Sequence, residues 1–270
     1  MSKDLKKLFS EMVHDYLKNE EGIFLEAGKS LLLKGKNIRP LIFLNIIERK
    51  KKISHIDCKL AVAIELLHCA SLIIDDLPSM DNDSLRRGEP TLHIKYGVDK
   101  AQLISNKFIF DAVGIIFNYC DESCRNLVLN QLKNGAIGQY YDLNCVDGVD
   151  GIDGVSINEI SFKINLKTAP FFNIAFILAN FSLKNSLYRE YTEIGNLFSA
   201  MFQICDDIED HKSDLEKNHK MNHCIILGKK QSLHLYKKNK AEFLETLDKL
   251  DLRCEYFDKI IQLLDNKLDN

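Results

Sequence analysis

The 270-residue chain reads as all-α and as one domain over 1–270, and three observations carry that reading. Apolar residues recur at helical spacing from Leu5 to the C-terminus, as in helices that each bury one stripe. Helix breakers are scarce, with Pro used four times and Gly thirteen times. No alternating β-branched run is long enough to make a convincing strand. A chain of this length can bury one large core or two small ones.

The elements follow in chain order. Met1–Leu17 interleaves acids with lysines on an amphipathic helix, which is unlike an acid-poor transit peptide. Asp57–Ile74 is apolar almost all round, the mark of a central helix, and runs into an acid pair. Asn144–Gly154 holds Asp147-Gly148, Asp150-Gly151 and Asp153-Gly154. An EF-hand loop needs ligands at alternate positions and a closing Glu, so the segment reads instead as turn chemistry in a mobile connection near an active-site mouth. Ala169–Leu183 is the longest apolar stretch, but Asn173 and Asn180 interrupt it and it falls short of a membrane span. Tyr191–Ile204, free of Pro, reads as a mostly buried helix that delivers the acids after it to a cleft.

A net charge of −3 argues against a nucleic-acid surface. Eight cysteines without CxxC pairs, and no signal peptide, fit reduced thiols in the cytoplasm.

Chemistry concentrates in two acid clusters. The first runs Asp75-Asp76-Leu77-Pro78-Ser79-Met80-Asp81-Asn82-Asp83 and leads to Arg86-Arg87-Gly88. Crowded carboxylates raise one another's cost of ionisation, so they make sense when divalent cations neutralise them and a polyanion arrives with those cations. Mg²⁺ is held in this way, by a few carboxylates plus substrate phosphates. Arg86 and Arg87 add planar forks for phosphate oxygens. The second cluster, Gln203-Ile204-Cys205-Asp206-Asp207-Ile208-Glu209-Asp210, places Asp206 and Asp210 on one helix face. Each cluster ends an apolar helix, so the two read as opposite walls of one metal–diphosphate site.

These motifs resemble, in order from Gly35 to about Gly228, those of the trans-isoprenyl diphosphate synthases, the family of farnesyl and geranylgeranyl diphosphate synthases. His68 to Pro78 with Asp81 to Thr91 resembles the first aspartate-rich motif in its bacterial-type form, and Phe202 to Asp210 the second. Gly138-Gln139-Tyr140-Tyr141-Asp142-Leu143 resembles the GQxxDL segment, and Lys167-Thr168-Ala169 the KT motif. Lys220 to Gly228 aligns weakly with GKSTYPxLLG, and Gly35-Lys36-Asn37-Ile38-Arg39-Pro40 with GGKRxRP. Four departures stand out: Lys34 for the first glycine, Asn37 for a basic residue, Ile74 for a frequent His, and Asn106 for a common Asp. Loss of a glycine's φ > 0 freedom at Lys34 is expected to reshape the turn.

The resemblance implies the isoprenoid synthase fold, a bundle of roughly ten or more helices around a central cavity, and a homodimer. It implies condensation of isopentenyl diphosphate with an allylic diphosphate, using Mg²⁺ (about three ions with substrate bound). Asp75, Asp76, Asp81, Asp206, Asp207 and Asp210 would serve the metals, with Asp207 mostly in the outer shell. Arg86, Lys167 and Lys220 would hold the allylic diphosphate. Lys167, Thr168 and Gln203 would be catalytic, the last two with oxygens near the allylic cation. Lys36, Arg39, His68 and Arg87 would bind isopentenyl diphosphate.

One clue bears on product length. Ala70 lies roughly 7.5 Å below Asp75 along a helix, where many farnesyl-forming relatives carry an aromatic floor. Ala70 and Ser71 are small, which favours a pocket reaching Leu66 and Leu67 and a geranylgeranyl rather than farnesyl product. Two other classes stay open. The spacings Glu11-x-x-His14, Glu65-x-x-His68 and Glu216-x-x-His219 match carboxylate-bridged di-iron bundles, but leave the aspartates and Arg86-Arg87 without a role. A non-catalytic partner subunit of another prenyl synthase would explain the altered GKNIRP segment, but such subunits typically lose their aspartate-rich motifs.

Overall fold

A computed structural model describes residues 3–144, 157–216 and 222–268. Almost every described element is a helix: α1 Lys3–Leu17, α2 Gly22–Leu32, α3 Ile38–Lys50, α4 His55–Asp75, α5 Leu92–Tyr96, α6 Val98–Tyr119, α7 Glu122–Asn144, α8 Ile157–Asn165, α9 Ala169–Ser182, α10 Tyr188–Glu216, α11 His223–Leu227, α12 Lys229–Lys249 and α13 Glu255–Leu268. The exception is a two-residue antiparallel pair, β1 Leu85–Arg86 and β2 Glu89–Pro90. Its turn residues Arg87 (φ 56°) and Gly88 (φ 79°) are both left-handed, as a tight hairpin requires. The chain divides into two compact units, Ser2–Arg125 and Asn126–Asn270.

In the N-terminal unit α4 is the buried axis that its composition predicts. Ser54 starts it with a reciprocal capping box to Asp57. Leu60, Ala61, Ala63 and Leu66 are enclosed, and α1 (Phe9, Val13), α3 (Phe43, Ile46) and α6 (Ile104, Phe108) contribute the rest of the core. The Ser105 hydroxyl of α6 donates to the Ala70 carbonyl at 3.0 Å.

The C-terminal unit is organised by aromatic packing on α10. Phe198 meets Phe172 of α9 at 5.0 Å and Phe243 of α12 at 5.6 Å, and Phe243 meets Phe257 of α13 at 5.7 Å. Rings at these separations and tilts are worth somewhat more than their buried area.

Two expectations change. The second acid cluster does not end its helix: α10 runs on to Glu216, so Asp206–Asp210 lie mid-helix. The stretch His211–Glu216 contains neither Gly nor Pro, and a cluster of acids alone does not end a helix. The turn before α3 does not depend on a glycine at position 34. Its left-handed residue is Asn37 (φ 51°, ψ 37°), a residue type that tolerates this conformation. Lys34 is instead ion-paired with Glu89.

Candidate active site

In the N-terminal unit, Asp75 is the last residue of α4 and Asp76 its C-cap. The backbone then folds back, with the Asp81 N–H donating to the Asp75 carbonyl at 2.9 Å and the Asn82 N–H to Leu77 at 3.1 Å. Asp76 is buried and accepts Arg86 Nε at 2.9 Å, with Nη2 on the same oxygen. Arg86 Nη2 lies 3.5 Å from Asp83. Burial raises the Asp76 carboxyl above its usual range; Arg86 opposes the shift, while Asp83 and Asp81 add to it.

Farther down α4 lies a basic site. Arg39 Nη1 donates to His68 Nε2 at 3.0 Å. Burial, then Arg39 and Arg87, push the His68 pKa well below its usual value, so the ring is neutral. With Nε2 accepting, Nδ1 carries the proton, and that buried donor has no hydrogen-bond partner. Behind it Glu65 is fully enclosed, accepting Asn37 Nδ2 at 3.1 Å. Burial raises its carboxyl, against the pull of Arg39 and Arg87. Asn37 also donates to the Leu32 carbonyl at 2.9 Å, so its amide ties the turn before α3 to both Glu65 and α2. Gly35 lies under this cluster: a Cβ there would come within 2.9 Å of Arg87 Nη1 and 3.2 Å of Glu65 Oε1. Lys36 is exposed nearby in sequence.

In the C-terminal unit, a line of hydrogen bonds joins several expected residues. Thr168 occupies the N-cap of α9, yet its hydroxyl does not cap the helix. It donates to Gln203 Oε1 at 2.8 Å, and Gln203 Nε2 donates to Asp207 Oδ1 at 2.7 Å. Asp207 Oδ2 accepts the His223 backbone N–H at 2.8 Å and ring Nδ1 at 2.6 Å, and His223 Nε2 faces the Ser161 hydroxyl at 3.1 Å. Asp207 and His223 are buried. Both oxygens of the Asp207 carboxylate are therefore taken up, one by Gln203 and one by His223. Asp206 receives Lys267 Nζ at 3.0 Å. Burial raises the Asp206 carboxyl, against Lys267; burial, Asp214 and Glu209 raise that of Asp210.

Lys167 Nζ pairs with Asp142 Oδ2 at 2.8 Å. Gly138 of α7 makes the adjacent turn possible, since a Cβ there would stand 2.3 Å from the Leu166 carbonyl carbon and the Lys167 nitrogen. Lys220 and the Asp-Gly segment from Cys145 onward lie outside the described residues. Of the two small residues below Asp75, Ala70 is 1% exposed, while Ser71 is half-buried, its hydroxyl on the His68 carbonyl at 2.8 Å.

Among the described residues, no group of three or more His, Cys, Asp or Glu side chains is arranged to hold a metal alone. Mg²⁺ does not need one, because phosphate oxygens and water complete its octahedron around one or two carboxylates. The donors are all carboxylate oxygens, and burial and mutual repulsion hold Asp76, Asp206 and Asp210 above their usual range. A hard cation relieves that strain, so the residues fit the metal. Ser161, His223 and Lys267 join the candidate site residues without any mark in the sequence, where Glu65 stands out only for its di-iron spacing. Glu65 looks like one turn of an apolar helix, and the other three meet their partners only through the fold. The Glu65-x-x-His68 pair is committed to Asn37 and Arg39, which leaves the di-iron spacing without support here.

Residues 21–251 match the Polyprenyl synthetase family, a span that runs through both units. A trans-prenyltransferase of African swine fever virus (isolate Pig/Kenya/KEN-50/1950) is 30% identical, over 96% of this chain and 83% of the relative. The crystal structure of a geranyltranstransferase from Thermotoga maritima superposes with a TM-score of 0.85 at 26% identity, covering 97% of each chain. That of a Helicobacter pylori geranyltransferase complexed with magnesium and isoprenyl diphosphate shares the fold, with a TM-score of 0.73 at 24% identity over 98% of this chain and 96% of the other. Among the described residues, no helix is long and apolar enough to cross a membrane.

Proposed function

Since the chain belongs to the polyprenyl synthetase family and is a prenyltransferase, we propose that it condenses isopentenyl diphosphate with a dimethylallyl, geranyl or farnesyl diphosphate primer, acting as one domain over 1–270. The observation that carries the reading is the layout of α4. His68, with Arg39 beside it, and Asp75 lie on the same face two turns apart, about 10 Å along the axis. One level offers metal-free cationic and N–H donors, the other carboxylates. Two diphosphates, one handled directly and one through metal ions, need that division.

In this reading Asp75, Asp76, Asp81, Asp206 and Asp210 hold Mg²⁺, and Asp207 works from behind by fixing Gln203. Magnesium supplies Lewis-acid charge to the leaving diphosphate. Arg86 and Lys167 exchange Asp76 and Asp142 for diphosphate oxygens, joined by Lys220. The Thr168 hydroxyl, donating to Gln203, turns its lone pairs toward the allylic cation. Lys36, Arg39, Arg87 and the unpaired N–H of His68 hold isopentenyl diphosphate. C4 of isopentenyl diphosphate then bonds to C1 of the primer as the primer's C1–O bond breaks, diphosphate leaves, and a C2 proton is lost. Geranylgeranyl diphosphate is the favoured product over farnesyl diphosphate. Ser71, rather than the packed Ala70, is the position at which an aromatic ring would shorten it.

An apolar stripe on α6, with Leu103, Phe110 (70% exposed) and Phe117 at seven-residue intervals, supports a homodimer. The free thiols of all seven described cysteines support a reducing, cytoplasmic setting. The test is incubation of the purified chain with Mg²⁺, isopentenyl diphosphate and each primer, followed by product chromatography. Turnover should stop on chelation and return with Mg²⁺. No product from any primer would overturn the reading, and farnesyl diphosphate alone would overturn its chain-length part.

A further inference from the structure

The cation on the second acid cluster comes from the last helix of the chain. Three hydrogen bonds hold α13 in place. Asp265 accepts the Tyr236 hydroxyl at 2.8 Å and Lys240 Nζ at 2.6 Å, and Cys205 Sγ of α10 donates to the Leu264 carbonyl at 3.7 Å. So anchored, α13 delivers Lys267 to α10, with Nζ 3.0 Å from Asp206 Oδ1 and 2.6 Å from Glu209 Oε2. A third of the Lys267 side chain remains exposed, so it has room to swing away.

We propose that Lys267 is a resident counter-ion of the second acid cluster and sets how much magnesium the enzyme requires, because Asp206 cannot offer Oδ1 to Mg²⁺ while the ammonium holds it. The inference rests on the reading of Asp206 as a magnesium ligand. The two cations want the same oxygen. A dication has twice the charge and gathers phosphate oxygens with it, whereas a lysine ammonium is a compact charge on a flexible stem. Displaced from Asp206, Lys267 still has Glu209 to hold it nearby. Its like charge then continues to weaken the metal's hold, and more so at low salt. Arg86 stands in the same relation to Asp76, but the family reading already uses Arg86 for substrate. Lys267 has no such part.

The variants are Lys267→Gln, Lys267→Met, which keeps more of the apolar stem, and Lys267→Arg, which keeps the charge. The substrate-free protein is titrated with Mg²⁺ alone, following thermal stabilisation, and Mn²⁺ binding is read separately by electron paramagnetic resonance. The neutral variants should reach their midpoints at about two- to fivefold lower metal, and Lys267→Arg near wild type. The Mg²⁺ concentration for half-maximal turnover should fall in parallel, and the difference should shrink in high salt. An unchanged or raised midpoint in the neutral variants overturns the proposal. Asp206→Asn separates the two ideas. If its magnesium requirement matches wild type, the ligand reading fails; if it is impaired while Lys267→Gln titrates as wild type, only the role of Lys267 fails.

Discussion

In the N-terminal unit the cation on the acid cluster, Arg86, follows Asp76 in the same loop; in the C-terminal unit it is Lys267, brought to Asp206 by a helix from the end of the chain. The first arrangement is closed by local backbone hydrogen bonds and a two-residue hairpin, and uses a guanidinium fork on a buried carboxylate. The second depends on how α13 docks, and uses a flexible ammonium on a half-buried one. Similar acid patterns thus acquire their charge balance in different ways, one from chain neighbours and one from tertiary packing. Within the second cluster there is a further split, because Asp207 is spent on Gln203 and His223 while Asp206 and Asp210 are not.

Three experiments would break or sharpen this contrast. The largest effects come from alanine at the acids. Asp75→Ala and Asp206→Ala should each lower kcat about 10²-fold or more with little loss of stability, as when one stabilising donor is removed from a charge-developing site. Asp207→Ala should differ in kind. It strands a buried His223 and frees Gln203, so it should cost about 2–4 kcal/mol in chemical denaturation. If Asp206→Ala and Asp207→Ala are equally destabilising, the split does not exist. Next, Arg39→Ala should raise KM for isopentenyl diphosphate about tenfold or more while sparing the allylic primer, through loss of a charge-assisted contact. Equal weakening of both substrates would contradict separate levels on α4.

The smallest effect is on stability and pH. The Asp210 carboxyl is raised in the folded protein by burial, Asp214 and Glu209. A group raised in this way favours folding below its unfolded pKa, and that contribution is lost as pH rises through the folded value. Asp210→Asn should therefore raise the Tm of the metal-free protein near neutrality, by no more than about 1 °C because the exposed carboxyl is screened by solvent. The gain should fade as pH falls toward the ordinary aspartate value of 3.8. A gain that grows on acidification would reverse the assigned sign.

Much of this was legible in the sequence where the signal is local. The near-uniform apolarity of Asp57–Ile74 predicts α4, and the apolar stretch Ala169–Leu183, read only as too short for a membrane span, proves to be α9. The acids and their arginines stand out because no core needs them, and the resemblance that they carry leads to the polyprenyl synthetase family. What stayed hidden depends on distant partners. Nothing in an amphipathic C-terminal helix marks Lys267 out from the other surface lysines. His223 reads as one polar residue beside an apolar run, and only the fold shows Asp207 on one side of it and Ser161 on the other. Glu65 was in view, but a lone acid in an apolar helix does not declare that Asn37 donates to it. The run-on of α10 was missed because a charge cluster resembles a helix end, whereas only Gly, Pro or a cap makes one.

The backbone contact at Gly138 has a consequence for how this enzyme can change over generations. Most packed positions can drift, because a neighbour's side chain can grow or shrink to compensate. Here the neighbour of α7 is main chain, the peptide that joins Leu166 to Lys167, and main chain has no alternative sizes. Even alanine at 138 would have to push that peptide aside, carrying the Lys167 ammonium and the Thr168 hydroxyl with it. Displacements of about an ångström are enough to cost a reaction heavily when they fall on reacting groups. Selection can adjust most of the surroundings through side chains, but it has no small step to take at this position.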